Sequence, residues 1–218
     1  MLYSYKMTND VGFAPNPFHQ VLTLATCKPQ IRATKKVGDL IAGFSSKSLN
    51  GDDVGRERLV YIMKVTAITD YDSYFRDKRF KLKKASRGTE ISTRGDNIYY
   101  TENGTYKQAL TFFHKNDEEI EHDLGSDKVL ISNEFFYFGQ AAIPVDRFGI
   151  TIPKGQSAYG VKTKDPTKVE ALWDYLRKTF KKNIPIGPPH FWRNKEQFKT
   201  SGQGCCQQGF CVSGARRI

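Results

Sequence analysis

Cys27 opens the run Cys27-Lys28-Pro29-Gln30-Ile31-Arg32, which sets a thiol close to two cations. Positive charge near a thiol favours the thiolate, the form that attacks electrophiles. A cysteine nucleophile also needs a base, and the four histidines, His19, His114, His122 and His190, stand isolated along the chain, so spacing singles out none of them. Two other readings stay open. Lys28 and Arg32 suit phosphate contacts, and Cys27 can be a plain buried thiol with cations on the surface around it.

Two further segments carry groups suited to holding a base. In the loop from Asp10 to Phe18, Gly12 and two prolines restrict the chain. Asp10, Phe13 and Asn16 would there present a carboxylate, a ring and an amide with little ordering cost. In Arg94-Gly95-Asp96-Asn97-Ile98-Tyr99-Tyr100 the types again fit base recognition: an amide that pairs with an adenine-like edge, a carboxylate that accepts from an exocyclic amine, and a ring that stacks. The bland alternatives are a capped turn for the first segment and a turn entering a strand for the second. If the protein is an enzyme, Asp10 and Asp96 are the candidate general bases and Cys27 the candidate nucleophile.

No metal or cofactor is expected. Cys205, Cys206 and Cys211 lack paired CxxC spacing, and no Walker loop, GxGxxG or HExxH occurs. The run from His114 to Asp123 is rich in acids and reads as a solvated loop rather than a cation site.

These residues need elements to hold them. Leu2 to Met7 alternates as a strand does, and Val21 to Thr26 is a second short apolar element. Val37 to Phe44 reads as a turn feeding a buried strand, and 45–56 as a polar loop. Arg58 to Ile68 reads as one central strand, in which Lys64 must reach a rim or a partner because an unpaired buried ammonium is costly. Asp70 to Phe80 predicts a short helix, and the basic stretch 76–87 an exposed loop. Asn97 to Tyr100, Lys128 to Ser132 and Phe135 to Phe138 complete the strands. Asp165-Pro166 starts the clearest helix, with Val169, Leu172, Trp173, Leu176 and Phe180 on one stripe.

The 218 residues suit one elaborated domain, and the net charge of +11 is uneven. From Lys154 onward thirteen basic residues face four acidic ones, a field that attracts polyanions. The expected partner is a nucleic acid, DNA before RNA, or a nucleotide. Lys28, Arg32, Lys64 and Arg94 are the candidate phosphate contacts, and Asp10, Phe13, Asn16, Asp96, Asn97 and Tyr99 the candidate base contacts. Four cysteines are too few and too clustered for a secreted disulfide framework, and no apolar stretch reaches the length of a signal peptide or membrane span. A cytoplasmic location is the expectation; oligomeric state is not legible.

Five motifs, YSYKMTNDVGFAPNPF, LTLATCKPQIR, VGDLIAG, GDNIYY and DKVLISNEFFYFGQAAIP, follow one another through the first 145 residues. Together they resemble the nucleotide modification associated domain 2 family, known mainly from bacteria and their phages. That resemblance implies a role in nucleotide or DNA modification or defence. The Gly38-Asp39 turn and the strands after it are also similar to PUA-like and EVE domains, whose barrel cradles a flipped or modified base. The expected fold is therefore α+β, a mixed or antiparallel PUA/EVE-like β-barrel with peripheral helices and a basic C-terminal helix. Its expected parts are a nucleotide modification associated domain at 1–150, a basic helical extension at 151–185 and a poorly ordered tail at 186–218. Recognition of a modified or flipped base is the leading functional expectation. An enzyme processing a nucleotide or base is the alternative, and a protein-interaction module with a basic tail the third.

Overall fold

Short apolar or alternating runs form ten strands, and a computed structural model describes how they assemble over residues 1–193 and 198. The strands are β1 (Leu2–Lys6), β2 (Leu22–Leu24), β3 (Leu40–Phe44), β4 (Leu59–Lys64), β5 (Ala67–Asp70), β6 (Tyr99–Glu102), β7 (Thr105–Gln108), β8 (Lys128–Ser132), β9 (Glu134–Tyr137) and β10 (Val161–Thr163). The helices are α1 (Pro29–Thr34), α2 (Lys47–Asn50), α3 (Tyr71–Arg76), α4 (Asp117–Leu124) and α5 (Pro166–Thr179).

The largest sheet runs β10-β1-β3-β4-β9, with β1 and β3 parallel and the other pairs antiparallel. A second sheet runs β2-β8-β5, and β6 and β7 form a hairpin. The period of two along each strand sorts side chains between layers. Leu40, Ala42 and Phe44 of β3 and Phe136 of β9 face α5, whose Leu172, Trp173 and Leu176 cover them. Ile41, Met63, Phe135 and Tyr137 point the other way and meet Leu22, Leu24 and Leu130 of the second sheet. Beyond that sheet, Val129 and Ile131 carry a further apolar layer that holds Phe13, Tyr71, Tyr74 and Tyr99. Central strands buried on both faces explain why β3 and β4 are almost wholly apolar.

The protein is thus a mixed α+β structure of several sheets and few helices. No pairing among the described residues closes the strands into the PUA/EVE-like barrel expected from the resemblance; β9 and β10 remain the edges of an open sheet. The run from Arg58 to Ile68 is two strands. Val65 donates its N–H to Asp39 and Thr66 donates to Ile131, so the chain crosses from the first sheet to the second at that point. The acidic run 117–123 is a helix rather than a loop, because the Asn116 side chain caps it and three acids occupy its first turn. In the basic stretch, Phe80 and Lys83 are buried.

The C-terminal segments belong to the same body. β10 pairs with β1. Ile186 donates to Tyr137, Gln140 donates to Pro188, and Trp192 packs on Phe18, so residues 186–193 are held rather than loose. Cys205, Cys206 and Cys211 lie outside the described residues.

Candidate active site

Between β2 and α1 the chain makes a strained turn. Cys27 and Lys28 both adopt left-handed backbone, with φ of 56° and 44°, and neither is glycine. Such a conformation costs about 1–2 kcal/mol per residue and persists only where neighbours hold it. Here the holding groups are identifiable. The Cys27 N–H donates to Asp123 Oδ1 at 2.6 Å, and Arg32 Nε donates to the Cys27 carbonyl at 2.8 Å. Arg32 is fully buried, and its guanidinium also donates to the carbonyls of Ser126, Lys128 and Asp123, tying the turn to the end of α4 and the start of β8.

This turn brings the Cys27 Sγ to 3.4 Å from His114 Nε2. His114 follows the β6–β7 hairpin, and Gln108 of β7 anchors it by donating to its carbonyl at 2.8 Å. Its Nδ1 lies 2.6 Å from Asp123 Oδ2, which also accepts from the Tyr99 hydroxyl at 3.0 Å. Phe13 packs its ring edgewise on the imidazole and stacks on Phe113, which blocks rotation of His114. Thiol, imidazole and carboxylate therefore form a connected line, each member oriented by a separate element.

Burial by itself would lower the pKa of His114, but the hydrogen bond to Asp123 and the contact with Cys27 overcome it and raise the pKa to about 10. The ring is held as an imidazolium at neutral pH, able to donate to Asp123 through Nδ1 and to face Sγ through Nε2. Burial and the adjacent Asp123 push the Tyr99 phenol well up, so it stays a hydrogen-bond donor. Burial lowers the Lys28 ammonium, and Cys27 partly opposes that.

The same three residues are a conceivable metal set, with donor atoms within 4.8 Å of one another. They do not fit the role well. Asp123 already accepts from the Cys27 N–H, His114 and Tyr99, which leaves a thiolate and one imidazole, fewer than the three or four protein ligands zinc takes.

The thiol and the imidazole face a cleft of about 820 Å³. Tyr5, Phe13, Phe112 and Phe113 supply aromatic wall, and Lys6, Lys28, Lys115 and Gln156 supply polar groups. Lys6 is neutralised by buried Glu57 at 2.7 Å.

The residues expected to contact a base or phosphate are distributed as follows. Cys27, Lys28 and Phe13 line the cleft. Asp10 is buried and accepts from the Tyr137 hydroxyl and from His190. Asn16 accepts from the buried Lys83 ammonium and donates to the Arg94 carbonyl. Asp96 accepts from Thr23 and Tyr74, and Asn97 donates to the Tyr74 carbonyl. Tyr99 is buried behind the triad. Arg32 and Arg94 are buried, Arg94 donating to Val11 and paired with Glu90, and Lys64 pairs with Glu134 at 3.4 Å. Asp10, Asn16, Asp96, Asn97, Arg32 and Arg94 thus form the internal scaffold around the cleft rather than its lining, because each satisfies buried groups of the surrounding loops. Cys27 finds its basic partner in His114 rather than in Asp10 or Asp96.

Spacing does not connect His114 and Asp123, which stand in the acidic run weighed as a cation site, with Cys27. They are 87 and 96 positions from Cys27, and only the fold makes them neighbours. The available signal was their type alone, a histidine and a carboxylate elsewhere in a chain with a cation-flanked cysteine.

The fold and the site together define a mixed α+β protein in which a strained strand-to-helix turn sets a thiol against a histidine–aspartate pair. The model of the family described as nucleotide modification associated domain 2 matches residues 1–196, so the chain belongs to that family. No curated protein and no solved structure matches it.

Proposed function

We propose that this protein is an enzyme that modifies or processes a nucleotide or base by covalent thiol catalysis, with Cys27 as nucleophile, His114 as proton donor and acceptor, and Asp123 as the group that orients and charges His114. The carrying observation is the line of contacts Cys27 Sγ to His114 Nε2, 3.4 Å, and His114 Nδ1 to Asp123 Oδ2, 2.6 Å, opening on a cleft of nucleotide size. Membership of a nucleotide modification family supports the substrate class.

In this reading the Cys27 thiolate attacks an electrophilic carbon of the bound group, and an S–C bond forms. The bond from that carbon to its leaving atom breaks as His114 Nε2 delivers its proton there. The neutral imidazole then takes a proton from water or an acceptor amine, which attacks the same carbon, breaks the S–C bond and restores the thiolate–imidazolium pair. Asp123 holds the His114 ring in place throughout through its contact with Nδ1.

Recognition of a base without chemistry is less well supported, because Asp10, Asn16, Asp96 and Asn97 have their polar groups turned inward. The test is to incubate the purified protein with free nucleotides and with modified and unmodified oligonucleotides, and to read both products and protein adducts by mass spectrometry. The wild type should change the mass of one substrate class, and Cys27→Ser and His114→Ala should not while keeping wild-type circular dichroism. A ligand retained unchanged by all three proteins, with no product or adduct, would sink the enzyme and revive the reader.

A further inference from the structure

The cleft holds more positive charge than its own carboxylates answer. Lys28 sits at the mouth of the catalytic turn, half-buried, with its ammonium 4.9 Å from the Tyr5 ring and a single 3.4 Å contact to the Gln156 side-chain oxygen. Lys115 immediately follows the catalytic histidine, its ammonium 5.9 Å from the Phe112 ring. Neither ammonium is paired with a carboxylate among the described residues, whereas Lys6 in the same cleft is consumed by Glu57. Glu119 also lines the cleft, and its carboxylate accepts from the Lys115 backbone N–H. Burial already disfavours the charged form of Lys28. Beside this partly buried ammonium stand the Cys27 sulfur, a ring and an amide oxygen but no carboxylate, a setting that an anion bound in the cleft would complete.

The number of cations narrows that anion. An ammonium binds phosphate as a point charge, and two of them facing one cleft suit an anion that carries two charges, which a single carboxylate does not. Of the buried arginines nearby, Arg32 spends its donors on backbone carbonyls, and Arg94 commits its two terminal nitrogens to Val11 and Glu90. A phosphate monoester carries close to two negative charges at neutral pH, which two lysines balance. Next to them Phe112 is partly exposed, and Phe113, Phe13 and Tyr5 continue an aromatic wall that offers a flat ring a face to stack on.

We infer that the cleft takes a free nucleoside monophosphate, its phosphate held between Lys28 and Lys115 and its base against Phe112, with the group to be modified presented to Cys27. This rests on the reading of Cys27 and His114 as the reacting pair. The two fail separately under one measurement, the rate at which iodoacetamide alkylates Cys27 in the full chain, followed by intact mass. Rapid alkylation that drops in His114→Ala tests the reacting pair by itself.

The inference about the ligand is tested by protection. Each of the common ribo- and deoxyribonucleoside monophosphates is compared with its nucleoside, with inorganic phosphate and with an oligonucleotide lacking terminal phosphate. At least one monophosphate should slow alkylation about tenfold at saturation, with the matching nucleoside far weaker. Lys28→Met and Lys115→Met should each weaken its half-maximal concentration roughly tenfold, the value of one charge-assisted contact. Phe112→Ala should weaken monophosphate and nucleoside alike without altering the response to inorganic phosphate. Equal protection by nucleoside and monophosphate, protection by the oligonucleotide alone, or full protection in the double lysine variant would each overturn the inference. Because Lys28 helps form the turn, Lys28→Arg serves as the control: it should keep protection, and its loss there together with a lowered melting temperature would mean that the lysine only shapes the turn.

Discussion

The aspartate of the triad is completely buried and serves three donors at once, the Cys27 N–H, the Tyr99 hydroxyl and His114 Nδ1. Replacing it with asparagine keeps the volume but puts an amide donor where acceptors are needed. Asp123→Asn should therefore lower the iodoacetamide reactivity of Cys27 about tenfold or more near neutral pH and destabilise the fold by about 3 kcal/mol, the cost of breaking a buried pair; alkylation rates and urea titration read the two effects. The charge on His114 has its own signature. Its folded pKa, about 10, lies above the ordinary value of 6.5, so its contribution to stability is fully present below pH 6.5 and is lost as pH rises through about 10. Lys83 runs the other way over nearly the same range. Burial lowers its pKa against the pull of Asp96, so its contribution grows as pH rises toward the ordinary lysine value of 10.5. The two slopes oppose each other in the wild-type curve, and the informative quantity is the difference between wild type and His114→Gln. That difference in unfolding free energy should be largest at pH 6 and shrink steadily to pH 10; a constant difference would show that His114 is not held as an imidazolium.

Among elements, the left-handed turn at Cys27-Lys28 is held by a clamp. Arg32 closes that clamp with four donations to backbone carbonyls, and the side chain has no exposure to solvent. Arg32→Met should leave those carbonyls unpaired, cost roughly 3 kcal/mol or more by urea unfolding, and slow alkylation of Cys27 by relaxing the left-handed turn. Arg32→Lys should recover only part of either effect, since an ammonium offers three donors in a different geometry. Loss of stability with unchanged thiol reactivity would mean that the turn holds itself. What was legible in the sequence divides at this scale. β8 and β9 announce themselves as short continuous runs buried on both faces, and α5 through its apolar stripe. α4 did not, since its buried residue is Asp123 and its remaining apolar groups, Ile120 and Leu124, are only partly covered. In Arg58 to Ile68 the crossing from one sheet to another falls at Val65 and Thr66, and neither residue is a turn former, so composition could not show it. Cys27 stood out by its flanking cations, but the cations themselves were assigned one role when the fold gives them two: Lys28 reaches the cleft and Arg32 is sealed beneath it. Asp10, Asn16, Asp96 and Asn97 have types that suit either a base edge or buried loop carbonyls, and type alone does not distinguish those uses.

For the whole molecule, the open question is whether the basic C-terminal part is an appendage or part of the domain that carries the cleft. The packing supports integration. α5 covers one face of the five-stranded sheet, with Leu172, Trp173 and Leu176 against Leu2, Leu40 and Phe136, and β10 closes the edge beside β1. β1 and the residues after it, Tyr5 to Asn9, run directly into the cleft wall, so the sheet that α5 covers is the same sheet that positions the site. The basic side chains of this helix face solvent because its apolar stripe is already spent on the core. A fragment ending at residue 150 loses both β10 and α5 and exposes the apolar outer face of β1, β3, β4 and β9, an uncovered patch that a soluble monomer does not tolerate well. It should show no cooperative thermal transition. Within the full chain, Leu172→Ala should cost about 2–5 kcal/mol, as large-to-small changes at fully buried sites do. Lys168→Gln and Lys178→Gln, on the exposed side, should leave the melting temperature within a degree or two. A 1–150 fragment that melts cooperatively and alkylates at the wild-type rate would make the helix an addition to a self-sufficient domain. Failure of the fragment together with the Leu172→Ala loss would place α5 among the elements on which the geometry of Cys27 and His114 depends.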